Sequence, residues 1–266
     1  MPHLAHRLTA AAAAAAAGLA LAAAGVVAGP TAAGAAPAPP PAPHTVSSPV
    51  VAGTWASGSE PAALAGTADW GEVTTTAAGV VSATMGPNFG GLGGQHLNAP
   101  IVGIAMAPAN AGYWLVASDG GIFTFGDAPF YGSMGGKPLN QPIVGMAATP
   151  DGKGYWEVAS DGGIFTFGDA RFYGSMGGHP LNKPVVGMAA TADGHGYWEV
   201  ASDGGIFTFG DAPFYGSGAL PGELQTSAVA IGRVGAASGP GYVVITERGG
   251  AGNFHGFCGG EFRGSM

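Results

Sequence analysis

Charge is scarce in this sequence, with 9% of its 266 residues carrying an ionisable acid or a Lys or Arg side chain. Basic residues are the scarcer kind, 8 against 16 acidic, so there is no basic stripe to track a phosphate backbone. That argues against nucleic acid and anionic membrane surfaces as partners. Cysteine is nearly missing. Cys258 stands alone, which excludes an internal disulfide and leaves the fold to hold itself together by packing. Beyond the N-terminal segment, no ten-residue stretch keeps helical apolar spacing without a Gly or Pro breaking it, which points to an all-β chain. Catalytic signatures are missing too: there is no G-x-S-x-G elbow, no H-E-x-x-H and no P-loop.

What is abundant is glycine and proline, 51 and 21 residues, together with a 47% hydrophobic share. So apolar a chain can build a core, and the glycines read as turns between many short strands. The N-terminus reads as a signal peptide over residues 1–35. Arg7 precedes an Ala-rich apolar run from Leu8 to Gly29, and Ala33-Gly34-Ala35 offers a small-residue cleavage site. An uncleaved signal would be the one route to a membrane. Residues 36–55 read as a Pro/Ala/Ser-rich linker, extended and semi-rigid. Removing the signal leaves seven basic side chains against sixteen acidic ones.

The remainder, 56–266, repeats. Asn98-Ala-Pro-Ile-Val-Gly, Asn140-Gln-Pro-Ile-Val-Gly and Asn182-Lys-Pro-Val-Val-Gly open units 42 residues apart, and 32 of 42 positions are identical between 98–139 and 140–181. Units this alike share one local structure. Worn copies flank them, giving units of about 56–97, 98–139, 140–181, 182–223 and 224–266. Within a unit, four short apolar or aromatic runs are separated by Asp- and Gly-rich turns: Ile143 to Ala148, Tyr155 to Ala159, Ile164 to Phe167 and Phe172 to Ser175. Four antiparallel strands in this length make one propeller blade. The expectation is a β-propeller-like array of about five four-stranded blades, the outer two degenerate, either closed or truncated.

The segment Gly154-Tyr-Trp-Glu-Val-Ala-Ser-Asp-Gly-Gly-Ile-Phe-Thr-Phe-Gly-Asp-Ala-Arg-Phe-Tyr-Gly-Ser175 resembles the tandem repeat of exported actinobacterial proteins. That resemblance is specific for three units and loose for the outer two. It implies a β-propeller-like module of the kind found beside cell-wall hydrolase, lysozyme-like or esterase domains, none of which is attached here.

The candidate site residues follow from the repeat. Trp114, Trp156 and Trp198, with Tyr113, Tyr155 and Tyr197, offer flat apolar faces on which a pyranose ring can stack. Their competing role is packing between neighbouring blades, together with Phe123, Phe125, Phe130, Tyr131 and their equivalents. Asp119, Asp161, Asp203, Asp127, Asp169 and Asp211 read as turn residues, because one Asp per Gly-rich turn does not supply the converging oxygens a calcium ion needs. Glu157 and Glu199 read as solvent-facing strand residues, since identical positions on adjacent blades point the same way rather than at each other across one bond. His255-Gly-Phe-Cys258 has no partner pair to make a metal or thiol site, and nothing near Ser133 or Ser175 supplies a triad.

No metal and no cofactor is expected. The reading is a secreted or envelope-associated, non-catalytic binding module for cell-envelope glycan or another extracellular carbohydrate. Two alternatives stay open: a hydrolase or lyase with its site at the propeller mouth, and a cell-surface scaffold for protein partners.

Overall fold

The structure, a computed structural model, describes residues 50–51, 61–66, 72–84, 87–218, 227–234, 241–246 and 255–258. The signal segment and most of the linker lie outside the described residues, as does 262–266.

Why strands form where they do is clearest in unit 140–181. β8 (Ile143–Ala148), β9 (Gly154–Ala159) and β10 (Ile164–Gly168) form one antiparallel sheet in the order β10-β9-β8. The β9–β10 hairpin pairs Val158 with Ile164 and Tyr155 with Phe167. Its turn is built by Asp161, whose Oδ1 accepts the Gly163 amide at 2.9 Å, and by Gly162 at φ +75°. The β8–β9 turn is closed by Thr149, whose hydroxyl accepts the Gly154 amide at 3.0 Å and donates to Asp151 Oδ1 at 2.9 Å. At the open end of the hairpin two glycines face each other. A Cβ on Gly168 would collide with the Lys153 carbonyl, so the close approach requires glycine there.

The same sheet recurs as β5 (Ile101–Met106), β6 (Gly112–Ala117) and β7 (Ile122–Gly126), and as β11 (Val185–Ala190), β12 (Gly196–Ala201) and β13 (Ile206–Gly210). It recurs again as β14 (Ala228–Val234), β15 (Gly241–Thr246) and β16 (His255–Cys258). The first sheet has four strands, β1 (Val50–Val51), β2 (Pro61–Gly66), β3 (Glu72–Thr76) and β4 (Val81–Thr84), and β1 falls in the stretch read as linker. No α-helix occurs among the described residues, and none of their helices is long and apolar enough to cross a membrane. The chain is thus all-β, built of repeated small antiparallel sheets.

One expectation is corrected. The fourth run of each intact unit, Phe172 to Ser175 and its equivalents, is not a strand, and these sheets have three strands rather than four. The physical reason is that side chains, not a ladder, satisfy this backbone. Trp156 Nε1 donates to the Arg171 carbonyl at 2.8 Å, and Tyr197 of the next unit engages the Tyr173 amide at 3.1 Å and the Gly174 carbonyl at 2.6 Å.

The core lies between sheets. Four apolar clusters each draw on two consecutive units, and strand alternation decides which side chain goes where. On β6, Trp114 and Val116 pack forward against the next sheet, while Tyr113, Leu115 and Ala117 pack back against the previous one. The first strands of successive three-stranded sheets run beside each other from β5 through β8 and β11 to β14. β2 lies beside β5, and β14 also neighbours β1.

Candidate functional site

The middle strand of each intact sheet is buried along its whole length, and this corrects the first site expectation. Trp114 is 0% exposed, Trp156 1% and Trp198 3%; Tyr113, Tyr155 and Tyr197 are 0%. No face of these rings is open to a sugar. They pack across the joints between units instead, Trp114 against Tyr155 at 5.6 Å between centroids and Trp156 against Tyr197 at 5.7 Å. Such tilted aromatic pairs add to area burial.

Their polar atoms have a different task. Trp114, Trp156 and Trp198 donate Nε1–H to the carbonyls of Pro129, Arg171 and Pro213 at 2.7, 2.8 and 2.8 Å. Two residues further along that same segment, the Tyr of the following unit takes hold. Tyr155 accepts the Tyr131 amide at 3.1 Å and donates to Gly132 O at 2.6 Å; Tyr197 does the same to Tyr173 and Gly174, and Tyr242 to Tyr215 and Gly216. Burial pushes the Tyr155, Tyr197 and Tyr242 phenols up to about 12, so they keep their donor proton through the physiological range.

Between the Trp clamp and the Tyr clamp stands one residue, and it is a phenylalanine each time. Phe130, Phe172 and Phe214 are 59%, 60% and 61% exposed, large apolar side chains held out from a backbone fixed on both sides. Composition and spacing place them among the repeated aromatics, but nothing in the sequence separates them from their buried neighbours. What distinguishes them is that their segment leaves the ladder, and only the structure shows that.

The repeated acids divide into two sets. Asp119, Asp161 and Asp203 each accept the amide two residues on, at 2.9, 2.9 and 3.0 Å, and build the hairpin turn. Asp127, Asp169 and Asp211 are exposed and sit where the third strand ends, their amides bonded to Ala111, Lys153 and His195 carbonyls. Near Asp211 the carboxylates of Asp193 and Asp211 and the His195 ring bring three possible ligand atoms within 4.8 Å of one another, all on exposed residues. One unit earlier the counterpart closes on an ammonium, with Lys153 Nζ 3.1 Å from Asp151 Oδ2. The Lys153 amide, the Thr149 hydroxyl and that ammonium hold the Asp151 carboxyl at about 2. His195 Nδ1 stands 3.2 Å from Asp193 Oδ2 in the same place. In both units a basic side chain, Lys153 or His195, lies beside the acid pair.

The second correction concerns Glu157 and Glu199. Both are 0% exposed rather than solvent-facing, and no carboxyl oxygen of either makes a well-formed hydrogen bond, although the Met134 amide lies close enough to Glu157 to draw its pKa down slightly. Burial pushes both up to about 8, so at neutral pH they are largely protonated. Ser133 and Ser175 are half-buried loop residues; His96, His179 and His195 are exposed. Of His255 and Cys258 the structure describes only the strand backbone. A shallow recess of about 280 Å³ lies between the loops ahead of β8 and β11, edged by Gln141, Asp161, His179, Asn182 and Lys183.

Compared with protein-family models and with curated proteins, the chain matches none.

Proposed function

We propose that this chain is a secreted, non-catalytic binding module, a closed five-bladed β-propeller-like ring that engages cell-envelope glycan or another extracellular carbohydrate through Phe130, Phe172 and Phe214. The observation that carries the reading is that each phenylalanine is exposed between two side-chain clamps. Exposing a large apolar ring costs solvation, and repeating it three times at fixed spacing is the pattern of a contact surface rather than of a core. An aromatic ring fixed in advance loses little entropy when a sugar stacks on it. Equivalent weak sites on one rigid body gain by acting together on a polymer. The ring reading is supported by the order in which first strands neighbour each other and by the approach of β14 to β1. Export is supported by the Arg7-led apolar segment.

Co-sedimentation of the protein with purified cell-wall sacculi tests this. Phe130→Ala, Phe172→Ala and Phe214→Ala leave packing alone, so each variant should stay folded while binding falls stepwise and collapses in the triple variant. Loss in the triple variant of at least tenfold in affinity is expected. Undiminished binding, or no binding by folded wild type, overturns the assignment.

A further inference from the structure

The joints between units are not all alike, and the difference sits at one position. The residue two places after the clamping Tyr faces back into the joint: it is Leu115 after Tyr113, Glu157 after Tyr155, Glu199 after Tyr197 and Val244 after Tyr242. All four are 0% exposed. Leu115 packs in one cluster with Leu92 of the preceding unit, and Val244 packs with Ala228, Ile231 and Tyr242. The two glutamates occupy the same space against methionine and glycine. A Cβ on Gly120 would stand 3.0 Å from Glu157 Oε2 and would strike Met134. On Gly162 it would stand 2.8 Å from Glu199 Oε2 and 2.5 Å from Met176 Cβ. Leucine shows what this position needs for packing alone. Glutamate fills the same space with two oxygens that make no well-formed hydrogen bond, the Met134 amide being the donor that acts on Glu157.

We propose that the two Glu–Met joints are proton-gated: closed while Glu157 and Glu199 carry their protons, and loosened when those protons are lost, whereas the joints at Leu115 and Val244 do not respond. On ionising, the neutral carboxyl gives its proton to water, and the carboxylate left behind, 0% exposed in the closed joint, is hydrated only when the joint parts. The charges that act on each carboxyl are few. Glu157 faces Lys137, whose ammonium donates to the Ser133 carbonyl at 2.9 Å, and Asp119 of the preceding hairpin, with the Tyr155 phenol on its own strand. Glu199 faces Asp161 of the preceding hairpin, with Tyr197 on its own strand. Lys137 can follow the charge at the first joint. At the second, the acting charge has the same sign as the carboxylate, so that joint gives way first.

The direction in pH follows from the folded-state values. Each carboxyl is raised from its ordinary value of 4.5 to about 8, so the closed joint holds the proton that an open one releases. Closure is therefore fully stabilised below the ordinary carboxylate range and is lost as pH rises, the opening equilibrium climbing up to about tenfold per pH unit before levelling above about pH 8.

Hydrogen exchange of the full chain, read by mass spectrometry from pH 5 to pH 9 and divided by intrinsic rates, tests this with a control inside the molecule. Protection of segments 131–134 and 173–176 should fall at least tenfold relative to 89–92, which lies at the Leu115 joint. The loss should be greater for 173–176. In Glu157→Gln/Glu199→Gln, a neutral pair of the same shape, the ratio should not move with pH. Glu157→Leu/Glu199→Leu, copying the residue at 115, should behave likewise and melt at higher temperature at pH 8. A wild-type ratio flat across this range, or the same slope in the Gln pair, overturns the proposal.

Discussion

At the scale of single residues, this protein uses its largest side chains twice. The buried Trp and Tyr rings fill the joints with their carbon and hold the adjoining backbone with their polar tips. Tyr155→Phe separates the two roles, because the ring stays and the hydroxyl goes. It leaves the Tyr131 amide and the Gly132 carbonyl without the phenol, at a cost of about 1–3 kcal/mol, visible as a lower denaturant midpoint with an unchanged slope. Ala109 is a different case. In the turn Pro108–Asn110 it sits at φ 56°, where L-residues pay about 1–2 kcal/mol. Ala109→Gly should raise the melting temperature by a few degrees in a thermal scan, glycine's own entropy offsetting part of the gain. The aromatics were legible from the sequence as a repeating set, yet their orientation was not. Trp156, Phe172 and Tyr173 are equally apolar on paper, and which one faces water depends on a segment that abandons the ladder. Glu157 was misjudged for a related reason: a carboxylate on a strand is normally outside, and only the Leu115 counterpart hinted that this position is interior.

At the scale of elements, the hairpin turns were the most readable part of the chain. Asp161 with Gly162 and Gly163 encodes its turn chemistry directly, through an Asp side chain that caps the backbone and a glycine at positive φ. Gly162→Ala has to meet both the strained backbone and the contacts with Met176 and Glu199, and should destabilise by more than about 1 kcal/mol in chemical denaturation. The fourth run of each unit was the least readable, since Phe172 to Ser175 has the composition of a strand. Its backbone bonds go to side chains from two different units, a long-range arrangement that no local pattern records. This element carries the exposed phenylalanines. Replacing all three by Ala should change stability by no more than about 0.5 kcal/mol per site while removing binding, and a melting curve beside the sacculus assay distinguishes the two effects.

At the scale of the whole molecule, 42-residue periodicity makes the repeated architecture legible in the sequence. The sequence leaves closure open, because the first and last units are worn and β1 sits in a stretch whose composition reads as spacer. In the proposed ring, Val50–Val51 is the strand that lets the first sheet meet β14. Deleting residues 36–52 should therefore lower the melting temperature and favour self-association measured by light scattering, since exposed sheet edges recruit other chains. Unchanged behaviour would disfavour the ring. The proton-gated joints belong at this scale too, because loosening at Glu199 as pH rises divides the array between its second and third intact copies.

The Tyr clamps always reach one copy backwards, so the stretch of sequence that repeats and the unit that is physically complete are out of phase. A single copy of the repeat is never self-sufficient: its last segment waits for a phenol encoded in the next copy, as Tyr173 waits for Tyr197 24 residues on and Tyr215 for Tyr242 27 residues on. Unequal crossing-over between copies, however placed within the 42-residue period, inserts or removes a whole joint and never half of one. The internal contacts of a copy gained this way are supplied by neighbours already present, so only the seam between the first and last sheets has to accommodate a change in number.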